Sequence, residues 1–281
     1  MGTNDFSDIR HLIEKGDDAY DLAKASLMLA AHDLPSIDLG PYYRHLQSLY
    51  AEVEDWAKRD SVDLQEVTAA QMAQVLASVL SEVFRYRGDE ETYDDLDNTN
   101  LIRVIDRRKG LPVTLGILFI AAARAQGWSA AGLNFPGHFL VRLESLDGNR
   151  AIIDPFHGGS VLETPDLRNL LKVVSGPADE LESQHYRSVS NKDILMRLQN
   201  NVKMRQLDRG QMTEALETLE SMQAIFPDSA ALCREAGLLH LRLGQMSQAL
   251  RALETYLSRA PNGPERSRID SVVQDLKQRV H

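Results

Sequence analysis

The sequence predicts an α+β fold that is mostly helical, and three observations predict it. Apolar residues recur at helical spacing from Asp5 to about Gly88. Two short apolar runs, FLVRL (139–143) and RAIID (150–154), flank ESLDGN, whose Asp147-Gly148 is a turn signal. They read as an antiparallel pair that follows a helix. After about Ser190 the chain repeats itself at a strict 34-residue period. The expected organisation is therefore an N-terminal helical bundle on an α+β core over 1–189, then helical hairpins over 190–281.

In the first section, DAYDLAKASLMLAAHDLP (18–35) sets Leu22, Ala25 and Leu29 at helical spacing, and Pro35 marks the end. PYYRHLQSLYAEVEDWAKR (41–59) follows, with Pro41 suited to a first turn and Tyr42, Leu46, Leu49, Val53 and Trp56 forming one stripe. A third helix is expected from Asp63, as N-cap, to Gly88, as the residue just past its end. The acidic, turn-rich segment 89–100 joins this bundle to the core. The core opens with a short helix, a break at Gly110 and a strongly apolar helix beginning at Pro112 and ending at Gly127.

Setting 197–230 above 231–264 aligns Gly210-Gln211-Met212 with Gly244-Gln245-Met246, Ala215-Leu216 with Ala249-Leu250, Leu219 with Leu253, Glu220 with Glu254, and Pro227 with Pro261. A small residue in the turn, Ala-Leu in the second helix and a closing proline form the tetratricopeptide pattern. The expected interior includes Leu207, Leu241, Ala215, Ala249, Leu216 and Leu250, and the last helix, ERSRIDSVVQDLKQRV, caps the stack. A protein or peptide partner would meet the first helices around Asn200, Asn201, Lys203, Met204, Arg234, Leu238 and His240. There Asn201 and Lys203 could clamp a peptide backbone or terminal carboxylate.

Bulk properties exclude several classes. With 281 residues, 43% hydrophobic and 26% charged, the chain can bury at least one good core. A net charge of −10 argues against general nucleic-acid binding. One cysteine, Cys233, excludes an internal disulfide and any multi-cysteine metal site, and suits a reducing compartment. The start, MGTNDFSDIR, has no basic-then-apolar signal, and the longest apolar stretch, 111–123, falls short of the roughly 20 residues that span a bilayer. A cytoplasmic protein without membrane contact is expected.

His138 and Asp154 are the candidate chemistry. An aspartate paired with a histidine fixes the ring's tautomer and stabilises its cation, which is the base-and-orienter half of a nucleophilic triad. If the hairpin register opposes them, their even separation puts both on one face. His157 would complete a two-histidine, one-carboxylate metal set. However, DPFHGG is a turn without supporting ligand spacing, so no metal or other cofactor is expected and His157 reads as an exposed loop residue. Arg107, Arg108 and Lys109, just before the helix start at Pro112, could bind a carboxylate or phosphate. The competing reading is a surface run neutralised by the acidic stretch 89–97.

RRKGLPVTLGILFIAAARAQGW, then PGHFL, then IDPF resembles the core of the transglutaminase-like cysteine-enzyme superfamily, whose fold is papain-like. With the helical N-terminus, NTNLIRVIDRRKGLP and the trailing repeats, the chain is similar to the bacterial SirB family over nearly its whole length. The resemblance implies that His138 and Asp154 match two triad members and that the nucleophilic cysteine position falls on Pro112. Proline has no nucleophile, Cys233 lies in a repeat helix, and Thr114 is the nearest hydroxyl. Three readings follow. The chain is a non-catalytic interaction scaffold or regulator; or a hydrolase or transferase using His138 and Asp154, with Thr114; or a small-anion binder at Arg107, Arg108 and Pro112.

Overall fold

The computed structural model describes residues 7–16, 20–34, 36–59 and 67–280. The chain forms two compact units, Lys15–Leu198 and a second made of Met1–Glu14 with Gln199–His281. Helix α1 (Ser7–Glu14) belongs to the second unit and packs on a repeat helix. The repeat unit takes up the chain again at Gln199, within the helix Asn191–Asp208.

Unit Lys15–Leu198 begins with α2 (Leu22–His32), whose first turn is capped by Asp21 accepting from the Ala23 and Lys24 N–H groups. In α3 (Gly40–Arg59) Leu46, Leu49, Val53 and Ala57 are buried, while Tyr42 and Trp56 from the expected stripe are only half-buried. The expected caps at Pro35 and Asp63 lie outside the described residues. Helix α4 (Ala69–Ala77) starts at a Thr68–Gln71 capping box and runs into a π-helical turn, Ser78–Val83.

That helix stops at Phe84, with Arg85 left-handed at φ 61°, and not at Gly88. Gly88 instead lies in β1 (Arg87–Gly88), where an added Cβ would stand 2.6 Å from the Phe156 ring. Glycine is there for the close approach, not for a helix terminus. Helix α5 (Leu101–Arg107) ends on Arg108 at φ 60°, so the break expected at Gly110 comes two residues earlier. Gly110 lies in β2 (Lys109–Gly110), which pairs parallel with β1.

Helix α6 (Pro112–Ala125) is the axis of this unit, with every residue from Pro112 to Ala123 buried. A helix apolar on all sides must be surrounded, and α2, α3, α4 and α5 pack on it together with β3 (Ser129–Gly132). An antiparallel sheet of order β3-β4-β5-β6 covers it, built with β4 (Val141–Glu144), β5 (Arg150–Asp154) and β6 (Ser160–Val161). Strand β3, whose SAAG carries no apolar alternation, was not expected from the sequence. At Gly116 an added Cβ would fall 2.4 Å from Phe139, so glycine lets the chain next to His138 press on α6. Helix α7 (Thr164–Ser175) closes a second cluster of Leu133, Phe135, Leu140, Leu167 and Leu171.

One buried cluster in this unit makes stability depend on pH. His45 Nε2 lies 2.7 Å from the Tyr86 hydroxyl and 2.8 Å from the Arg108 guanidinium. Burial first, then the Arg108 charge, push its pKa down from 6.5 to about 4. The unfolded chain thus binds the extra proton between pH 6.5 and 4, so stability is lost as pH falls through that window. With the ring half-buried, roughly 1–2 kcal/mol is expected from this group. His45→Gln should shrink the difference in urea-unfolding free energy between neutral pH and pH about 4.5 by that amount. An unchanged pH dependence would remove His45 as the source.

The repeat unit contains residues 199–208 of α8 (Asn191–Asp208), then α9 (Met212–Ile225), α10 (Ala230–Arg242), α11 (Met246–Arg259) and α12 (Pro264–Val280). Helices α9 and α11 begin at matching positions of the 34-residue period. The turns before them use Gly210 and Gly244, both at φ +73°, a backbone position that favours glycine. Ala215, Ala249 and Leu216 are buried as expected, whereas Leu207, Leu241 and Leu250 are only half-buried. Helix α12 closes the far core on Cys233, Ala249, Leu253 and Tyr256 through Ile269, Val273 and Leu276.

Candidate functional site

His138 occupies a bend just before β4, and Asp154 ends β5. The β4–β5 ladder pairs Val141 with Ile153, so His138 lies ahead of the register position opposite Asp154 and reaches it diagonally. Its Nε2 is 2.9 Å from both Asp154 oxygens. His157, in the turn after β5, brings Nδ1 to 2.7 Å from Asp154 Oδ2. The Phe156 N–H donates to Oδ1 at 3.0 Å, and the turn is tied by Gly159 N–H to the Asp154 carbonyl.

Asp154 thus accepts from two imidazoles and one main-chain N–H while only 4% exposed. Burial works to raise its pKa. Hydrogen bonding and charge from His138, followed by those from His157, outweigh it and hold the carboxyl below its ordinary value. The side chains differ in access: that of His138 is 11% exposed and that of His157 53%. His157 is therefore exposed as expected, yet it is also a partner of Asp154. The three groups place one ligand atom each within 4.8 Å of one another.

Arg197 was missed by sequence reasoning. From α8 its guanidinium donates to the His138 carbonyl at 2.7 Å and lies over the Phe139 ring. It fixes the bend carrying the histidine, and nothing local in the sequence links positions so far apart.

The remaining candidates occupy other places. Thr114 is fully buried and its hydroxyl donates to the carbonyls of Leu111 and Asn98. Pro112 is buried in the first turn of α6. Arg107 bonds Asp89 at 3.0 Å and Asn98 at 3.3 Å. Arg108 donates to Tyr86, and Lys109 pairs with Glu91 at 3.0 Å. Each of these three cations has a partner within the chain. Beside them, a cleft of about 360 Å³ is lined by Arg87, Gly88, Glu90, Glu91, Lys109, Phe156, His157 and Gly158.

In the repeat unit, Lys203 is buried and bonded to Glu235 of α10 and to Asn200. It braces two first helices, unlike the expected peptide clamp. Asn201 accepts from Arg205, Arg234 pairs with Glu265, and His240 bonds Gln245. A cleft of about 150 Å³ lies among Leu207, Leu219, Leu238 and Leu239, bordered by Lys203, Glu235 and Arg242. Arg242, Glu235 and Leu239 were not singled out from the sequence, and Leu219 was read only as a matching position of the repeat.

A buried apolar helix under an antiparallel sheet, with a His–Asp pair at one end of the sheet's two inner strands, and a separate unit of repeat hairpins define a transglutaminase-like core joined to tetratricopeptide repeats. Residues 41–200 match the Transglutaminase-like superfamily, and residues 203–274 match the tetratricopeptide repeat. A UPF0162 protein of Xylella fastidiosa is 30% identical over 253 residues, covering 88% of this chain and 86% of that one. Protein SirB1 of Salmonella typhimurium is 24% identical over 220 residues, covering 78% and 81%. The chain belongs to the transglutaminase-like superfamily, and its bacterial relatives among the UPF0162 and SirB1 proteins place it with the SirB family. A crystal structure of menin aligns over 89% of this chain and 69% of its own at 10% identity and a TM-score of 0.41, too loose to transfer any property.

Proposed function

We propose that this protein works without turnover, as an interaction scaffold or regulator whose repeat hairpins hold a protein or peptide partner. The observation that carries this reading is the apolar cleft of the repeat unit. Leu238, 38% exposed, offers an apolar anchor there, and the exposed Arg242 on its border would meet a partner's carboxylate. The head of α6 supports it as well. The position that the family resemblance assigns to the cysteine is Pro112, and the Thr114 hydroxyl is buried and satisfied. Neither offers an attacking group to His138.

The alternatives gain less. A hydrolase or transferase would need Thr114 freed from two carbonyls. An anion site at Arg107, Arg108 and Pro112 would have to displace Asp89 and Tyr86. A cytoplasmic setting belongs to the proposal, which the reducing-compartment composition suits. Among the described residues no helix is long and apolar enough to cross a membrane.

Affinity capture from native lysate with the full chain tests the reading. Wild type and His138→Ala should retain the same protein. Leu238→Asp should lose it by about tenfold or more, the scale of a lost interface anchor. Retention by Leu238→Asp together with loss in His138→Ala would move the working surface to the core and overturn the proposal.

A further inference from the structure

Two imidazoles converge on one buried carboxylate beside an open cleft, and hydrogen bonding alone leaves part of this geometry unused. His138 Nε2 and His157 Nδ1 both face Asp154, and one ligand atom from each of the three residues lies within 4.8 Å of the others. A zinc-class ion bonds such atoms at about 2.0–2.2 Å, which sets neighbouring ligands roughly 3.3 Å apart. Side-chain adjustments of about 1.5 Å or less reach that spacing from distances of 2.7 to 4.8 Å. Two imidazoles with a carboxylate suit Zn²⁺, Co²⁺ or Fe²⁺ rather than Mg²⁺ or Ca²⁺, which take oxygen ligands.

A second observation concerns the nitrogen of His157 that does not face Asp154. Its Nε2 lies 3.9 Å from Glu90 Oε1. Metal-bound histidines commonly turn their remaining N–H to a carboxylate, which orients the ring and raises its basicity. Glu90 stands in that place. The site is also reachable: His157 and Glu90 both line the cleft of about 360 Å³. Its far side is held in place by Phe156 N–H on Asp154 and by Arg197 on the His138 carbonyl.

We propose that His138 Nε2, Asp154 and His157 Nδ1 bind one divalent transition-metal ion of the zinc class, with Glu90 as the outer partner of His157 and a remaining coordination position open to the cleft. The hydrogen bonds to Asp154 imply a proton on each facing nitrogen in the ion-free protein. Coordination needs lone pairs there, so in the ion-bound protein the ring proton sits on the other nitrogen, Nδ1 of His138 and Nε2 of His157. The latter then donates to Glu90. This assignment is independent of the repeat cleft and of any partner bound there.

Chelator-treated full-length protein should be titrated with Co²⁺, read by its ligand-field absorption, and with Zn²⁺, read by calorimetry and thermal melting. One ion per chain is expected. His157→Ala should weaken affinity by at least about tenfold, Glu90→Gln should weaken it by about tenfold, and His240→Ala in the repeat unit should leave it unchanged. Zn²⁺ should raise the melting temperature of wild type and not of His157→Ala. Because His157 is half exposed, its variant should melt like wild type in chelator, which separates lost ligation from lost folding. Wild type without one saturable equivalent, or His157→Ala binding as tightly as wild type, overturns the assignment.

Discussion

Pro112→Cys, placed in a Cys233→Ala background, should carry a thiol with a pKa well below the ordinary value of about 8.5, within the roughly 3.5–7.5 range of cysteines at helix N-termini and beside histidines. Position 112 opens α6, where unpaired N–H groups and the helix dipole favour a thiolate. Position 116 lies four residues on, over the same face, and its missing side chain admits Phe139, the neighbour of His138. The residue next to His138 thus packs on α6 one turn after Pro112. Because position 112 is buried, the ultraviolet absorbance of the thiolate as a function of pH gives the thiol pKa. Adding His138→Ala should raise it again, while the loss of proline from the first turn should cost only about 0.4–1 kcal/mol. A thiol with the ordinary value in both backgrounds would mean that Pro112 does not stand at the nucleophile position.

Asp154→Ala should destabilise the unit Lys15–Leu198 by about 3 kcal/mol. Its carboxylate is 4% exposed and holds His138, His157 and the Phe156 N–H together. Removing it orphans the buried His138 and Phe156 donors while His157 turns to water, and taking one member from a buried polar set costs about 3–5 kcal/mol. Both tryptophans of the chain, Trp56 and Trp128, lie in this unit, so urea unfolding followed by fluorescence reports it without the repeats. Asp154→Asn, which keeps an acceptor, should cost about half as much, and His157→Ala less than about 1 kcal/mol because that ring is largely solvated. A cost below about 1 kcal/mol for Asp154→Ala would show that packing alone holds the bend to the strand.

Much of the fold was legible because it is written in short-range patterns. The 34-residue period placed the two glycine turns and the starts of α9 and α11. The apolar run after Pro112 became the buried axis, and the Asp-Gly turn joined β4 to β5. The His138–Asp154 contact was also legible, since both residues flank one hairpin. Departures occurred where neighbours far along the chain decide. Gly88 serves Phe156 rather than a helix end, β3 has no pattern of its own, and α1 packs with the repeats. Among site residues, Lys203 reads as an available cation until Glu235 stands against it.

By itself, then, the sequence determined the main helices and the β4–β5 hairpin, their order, the repeat architecture and the residue types of the site, because helix periodicity, turn chemistry and cap residues act over a few positions. Tertiary structure decided what those residues face. It set His157 on Asp154, Arg197 on the His138 bend, Thr114 against two carbonyls, and Arg107 among carboxylates. Such pairings join residues from 3 to 59 positions apart, and only packing selects among the partners that a side chain's chemistry allows.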